Sequence, residues 1–93
     1  MAQAITGHFV YIVRCADGTL YSGYARDVRE REKVHNSGRG AHYTAYRRPV
    51  MVVHSECFDS KSEALQREHQ LKRMTRAKKE ALIAAAMVTE GVS

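Results

Sequence analysis

Proline occurs once, cysteine twice, and no apolar run approaches the length needed to cross a bilayer. Cys15 and Cys57 match no zinc-ligand spacing. The opening "MAQAITGH" lacks a charged segment followed by an apolar run, so the pair reads as reduced thiols and a cytoplasmic protein is the expectation. Length is short as well: 93 residues allow one domain, leaving no room for a separate recognition domain or a large internal cavity. The whole chain, 1–93, is read as that domain, with its core over about 8–87 and a frayed end over 88–93. Acidic residues are also in deficit, ten against fifteen Lys and Arg, and the resulting charge of +5 favours a polyanionic partner. The excess is local, since Arg67 to Lys79 holds six basic residues and the single acid Glu68.

What is present is regular. Residues 8–15, "HFVYIVRC", are β-branched and aromatic, and "TLYSG" follows the turn-forming "ADG", so the chain opens as a β-hairpin. A third strand is predicted over "VMVVHSECF", after Pro49. Asp27 and Glu30 are spaced as a capping box that starts a helix running to about Asn36, stopped by Gly38 and Gly40. Ser60 and Glu63 repeat the box before "ALQREHQLKRM", and Thr75 caps a last helix over "RAKKEALIAAAM". "GRGAHYTAYRR" is left as a basic, tyrosine-bearing loop or short helix. The predicted class is α+β: a small three-stranded antiparallel sheet with helices packed on it, in the order β-β-α-β-α-α.

Three polar residues fall where apolar ones belong. At about 100° per residue the first helix has a narrow apolar arc edged by Val28 and Val34, and Arg31 and His35 project between those edges. In the next helix Ala64, Leu65, Leu71 and Met74 form a stripe with Glu68 in its middle. A carboxylate there must meet a cation, take up a proton or line a wet cleft. One reading is an Arg31–Glu68 ion pair that only fixes packing. The other is a divalent metal on Glu68 with Arg31 facing the same cleft.

The hairpin decides whether Tyr11 and Tyr21 can join that cleft. A two-residue loop, Asp17-Gly18, puts them on opposite faces; a three-residue loop, Ala16-Asp17-Gly18 with Gly18 left-handed, pairs Val13 with Tyr21 and puts them on one face. The sequence permits either, and Gly18 serves both. Tyr43 and Tyr46 lie beside Arg39, Arg47 and Arg48, a mixture suited to stacking on bases and gripping phosphates, although cross-strand packing also accounts for tyrosines of this kind.

Phe9-Val10-Tyr11 and Tyr21-Ser22-Gly23, then Arg31 with His35 four residues on, then Glu68 opening "EHQLKR", together resemble the GIY-YIG nuclease superfamily, and most closely its small stand-alone bacterial branch. The resemblance runs from about Phe9 to Ile83. It implies that Tyr11, Tyr21, Arg31, His35 and Glu68 are catalytic, that Glu68 is the metal ligand for Mg²⁺ or Mn²⁺, and that Gly23, closing the second triplet, is structural like Gly18. It also implies the three-stranded sheet already read.

On this reading Glu68 and Arg31 neutralise phosphate charge, His35 takes or orients the proton of Tyr11, and Tyr21 positions water or phosphate. Arg39, Tyr43, Arg47, Arg48, Arg67, Lys72, Arg73 and Arg76 would track the nucleic acid, with Lys78 and Lys79 adding charge. The expectation is a metal-dependent endonuclease acting on DNA, structure-selective or nonspecific, single-stranded DNA included, with a place in repair or recombination. Monomer is the default state. The alternatives are a catalytically silent nucleic-acid-binding module and an accessory protein of a repair complex.

Overall fold

A computed structural model describes residues 7–92, with side chains described through Ala85. Strand β1 (His8–Arg14) and strand β2 (Leu20–Ala25) form the expected hairpin. Cys15 N–H donates to Thr19 O at 2.8 Å and Gly18 N–H to Cys15 O at 2.9 Å, so the loop is the three-residue one. Gly18 has φ +87°, the left-handed conformation that glycine adopts without a Cβ penalty. The Asp17 carboxylate accepts from Thr19 N–H at 3.1 Å and Thr19 Oγ1–H at 2.6 Å, which favours this turn. Val13 then pairs with Tyr21 and Tyr11 with Gly23, placing both tyrosines on one face.

Helix α1 (Val28–Asn36) begins on Asp27, whose side chain accepts from Glu30 N–H. The tyrosine-bearing segment contains the short helix α2 (His42–Ala45). Strand β3 (Met51–Phe58) pairs antiparallel with β1, giving the order β2-β1-β3. Helix α3 (Lys61–Arg73) is capped by Ser60 through Glu63 N–H. Helix α4 (Arg76–Val92) continues past the Met87 boundary and through most of the segment expected to fray. The one glycine there, Gly91, costs only about 1 kcal/mol in a helix. The opening residues read above as lacking a leader are outside the described part except for Gly7 and His8, and so is Ser93.

Central β1 is buried on both sides. Val10 and Ile12 join Ala64 and Leu71 of α3 and Ile83 of α4, with Leu20, Phe58 and Met74 at the margin. Tyr11, Val13 and Cys15 join Ala25 and Val50 on the opposite face, with Tyr21 and Val28 alongside. Each fully buried aliphatic contributes about 1.5–3 kcal/mol, which fixes the helices against the sheet. One detail differs from the periodicity. Leu65 is 40% exposed, since the buried line runs through Ala64, Leu71 and Met74 and a residue one step from Ala64 turns outward. Cys15 is buried and Cys57 exposed, and both are free thiols.

The hairpin tip is tied down from two directions. Ala16 N–H donates to Arg47 O at 2.9 Å, and Arg47 Nε lies 3.2 Å from Asp17 Oδ2. From α4, Arg76 Nη2 donates to Gly18 O at 3.0 Å, and Glu80 accepts both Arg14 Nη atoms at 2.8 Å. Among the described residues no helix is long and apolar enough to cross a membrane.

Candidate active site

Tyr11 leaves the middle of β1 and lays its ring over its pairing partner Gly23. A Cβ at residue 23 would come within 2.5 Å of Tyr11 Oη and 2.6 Å of Cζ, so only glycine leaves space for the phenol. The hydroxyl meets His35 Nε2 at 2.7 Å in a buried hydrogen bond. His35 is 1% exposed, the one buried residue of α1. On its other side Nδ1 is 2.8 Å from Thr44 Oγ1, and Thr44 is itself fully buried. The backbone of Gly40 lies so close that a Cβ there would overlap the His35 ring.

Proton positions follow from these partners. Thr44 Oγ1–H donates to Ala41 O at 3.1 Å, so the Thr44 oxygen accepts from His35 Nδ1–H. That tautomer leaves Nε2 as a lone pair, and Tyr11 must be the donor to it. Burial, then the charge of Arg31, pushes the proton affinity of His35 below its ordinary value, which keeps the imidazole neutral and accepting. Tyr11 is pushed up to about 12, chiefly by burial, with Tyr21 and Glu68 adding to the rise and Arg31 opposing it. All three of those groups are therefore within electrostatic reach of the phenol.

Tyr21 is edge-on to His35, 5.4 Å between centroids, and stacks on Tyr43 at 5.8 Å. The Arg47 guanidinium is 4.0 Å from the Tyr43 ring centre. Glu68 is half-buried, and Lys72 Nζ lies 3.5 Å from its Oε2 and 5.7 Å from the Tyr21 ring. The structure thus brings Tyr11, Tyr21, His35 and Glu68 together, and Arg31 of the same helix as His35 stands near enough for its charge to act on both Tyr11 and His35. It is exposed, and among the described residues its guanidinium has no hydrogen-bond or ion-pair partner. The Arg31–Glu68 pair, one of the two readings weighed above, is not formed; Glu68 instead meets Lys72, one turn along α3.

A model of the GIY-YIG catalytic domain matches residues 7–81. The chain belongs to the GIY-YIG family. UPF0213 proteins from strains of Staphylococcus aureus are 58% identical over 76 residues, covering 82% of this chain and 93% of theirs. The solution structure of a UPF0213 protein from Bacillus halodurans is 46% identical with a TM-score of 0.56, covering 85% of this chain and 84% of that one. The solution structure of a protein from E. faecalis is 38% identical with a TM-score of 0.62, covering 94% and 93%. Membership in the GIY-YIG family points to a nuclease that binds nucleic acid, and the sheet with its helices is the fold expected.

GIY-YIG membership also implies a divalent metal, and the donors here can be tested for it. Among the described residues no group of three or more His, Cys, Asp or Glu could hold an ion. Glu68 is a lone, half-buried carboxylate whose charge acts on the Tyr11 phenol, and an ammonium already lies against it as a stand-in cation. One hard oxygen ligand suits Mg²⁺ or Mn²⁺, which keep several waters and share substrate phosphate. The residues fit the ion.

The basic residues divide into two groups. Arg67 is committed to Glu56, through Nε at 2.8 Å and Nη2 at 3.1 Å, and His54 completes the triad at 2.8 Å. Arg76 is held by Gly18 and Glu80, Arg47 by Tyr43 O and Asp17, and Arg48 by Ala45 O and Asn36 O. Arg39, Arg73 and Lys78 are exposed with no side-chain partner among the described residues. Sequence reasoning missed Thr44 and the role of Gly40. A threonine in "AHYTAYRR" carries no periodic signal, and "GRG" reads equally well as a helix stop.

Proposed function

We propose that this GIY-YIG protein is a divalent-metal-dependent endonuclease that hydrolyses phosphodiester bonds in DNA without restriction-type sequence specificity. The observation that carries this reading is the directed line from Tyr11 through His35 to Thr44, opening beside Glu68 and Arg31. A phenol with its pKa near 12 is a poor base by itself near neutrality. Its oxygen can nevertheless accept a proton from the attacking water as its own proton passes to His35 Nε2. The imidazole becomes imidazolium, with Nδ1–H still held by Thr44, and the leaving oxygen takes a proton from solvent. No free tyrosinate is required.

Arg31 supplies a fixed charge and a planar fork for a non-bridging phosphate oxygen. Its lack of a protein partner leaves that fork available. Glu68 would hold Mg²⁺ or Mn²⁺, and the ion would supply positive charge to offset that growing on the phosphate and the leaving oxygen. Tyr46, 81% exposed with His42 edge-on to it, offers a flat surface for an unstacked base, which favours single-stranded DNA among the substrates. A place in repair or recombination is consistent with such a substrate.

The test is to incubate the protein with end-labelled single-stranded, duplex and branched DNA in Mg²⁺, Mn²⁺ or EDTA, beside Glu68→Gln. We expect metal-dependent cutting, greatest on single strands and reduced at least about a thousandfold in the variant. Salt-sensitive binding with no cutting of any DNA would overturn the enzymatic reading and favour a silent binding module.

A further inference from the structure

Lys72, one of the basic residues expected to track nucleic acid, also contacts Glu68, the carboxylate read as the metal ligand. On α3 it is one turn beyond Glu68 and turns its ammonium back, to 3.5 Å from the carboxylate and 5.7 Å from the Tyr21 ring. An ordinary helix pair of this spacing points into solvent and is worth about 0.3–0.5 kcal/mol. Here the cation lies against both Glu68 and the tyrosine cluster, where a nuclease would place its ion.

A second lysine shapes the same corner. Lys79 of α4 is half-buried and has no acidic partner among the described residues. Burial, and after it the charge of Lys72, holds the Lys79 ammonium below its ordinary pKa, which shows that the two cations feel each other. Glu68 thus meets one ammonium, Lys72, that is itself within reach of a second, Lys79, a local excess of positive charge that a divalent ion would worsen and a phosphate would relieve.

We propose that Lys72 is an internal cation occupying the metal position on Glu68, so that the free protein holds off divalent ions. This rests on the metal-ligand reading of Glu68. The ammonium satisfies Glu68 while no substrate is present, sparing a half-buried carboxylate next to two phenols. When a phosphodiester enters, its negative charge gives Lys72 a second place to go, beside Lys79, and Glu68 is released for the ion. Metal and substrate then bind with positive coupling, each favouring the other.

The experiment measures Mn²⁺ binding to the full chain, without nucleic acid, by loss of the free-ion EPR signal. Wild type is compared with Lys72→Met, Lys72→Arg, Glu68→Gln and the double variant Lys72→Met/Glu68→Gln. Removing one positive charge at this range should tighten binding about threefold to tenfold. Lys72→Arg should match wild type, and the double variant should lose the gain. Lys72 is half-exposed, so its replacement leaves the fold intact, which circular dichroism checks. Equal affinity in wild type and Lys72→Met, with Glu68→Gln weaker in both backgrounds, would overturn the role of Lys72 and leave the Glu68 reading standing. No effect of Glu68→Gln in either background would overturn both.

Discussion

On one side of the sheet Glu56 receives two hydrogen bonds from Arg67 and a third contact from His54, while the spare Arg67 Nη1 donates to Gln70. On the other side Tyr11, His35 and Thr44 form a line that ends on a backbone carbonyl at one end and on a phenol oxygen at the other. Both are polar clusters supported by β1 and its neighbours. The first is closed: the carboxylate is met by Arg67 and His54, and although burial pushes its pKa up, the bonds from these two residues bring it below the ordinary value. The second is open, because the Tyr11 oxygen keeps a lone pair that no donor among the described residues fills. A closed cluster fixes packing; an open one can pass a proton.

Breaking the open line should have the largest effect. Tyr11→Phe should lower cleavage per folded molecule by about a hundredfold to ten-thousandfold, as measured by single-turnover cutting of labelled DNA, a loss far beyond the roughly 1–3 kcal/mol of stability that leaving His35 Nε2 unpaired costs. The closed cluster should behave the other way. Glu56→Ala should cost about 1–3 kcal/mol in urea unfolding, leaving cleavage per folded molecule unchanged. A loss of cutting there as large as that from Tyr11→Phe would erase the distinction between the two faces.

A smaller change sharpens the role of the tautomer. Thr44→Val should reduce cutting about tenfold, since His35 Nδ1–H loses its acceptor and the ring can present the wrong nitrogen. The pH dependence has a definite sign. His35 binds a proton less readily folded than unfolded, so its contribution to stability is complete above its ordinary value of 6.5 and is lost as pH falls below it. Chemical denaturation between pH 7.5 and 5 should show that loss. Arg31→Met should move the NMR titration of the imidazole upward, toward 6.5, but leave it below, since burial is the larger cause. The smallest effect concerns binding: Arg73→Met should reduce the slope of log K against log salt by about one, whereas Arg67→Met should leave it unchanged.

Much of this was legible in the chain. Capping boxes at Asp27 and Ser60 set two helix starts, and the glycine after Asp17 marked the hairpin turn. Which of two loop lengths the chain adopts depends on the bonds Asp17 makes to Thr19, which are local, and on clamps from Arg47 and Arg76, which no local pattern encodes. His35 and Glu68 stood out because polar residues interrupt an apolar arc. Arg31 showed the same interruption, and although its long side chain is exposed its charge still acts on Tyr11 and His35. Charge counting likewise could not tell Arg67, spent on Glu56 from a different strand, from Arg73, spent on nothing.

The clamped hairpin tip has a practical consequence for anyone who handles this molecule. Exposed tight turns are ordinarily where a chain accepts an epitope, a fluorophore cysteine or new termini. Here the turn holds Arg47 through Asp17, Arg47 lies on Tyr43, Tyr43 stacks on Tyr21, and Tyr21 touches His35. A label inserted between Asp17 and Gly18 would act as a distant lever on the chemistry, so reporters belong elsewhere, on the solvent side of α3 near Leu65.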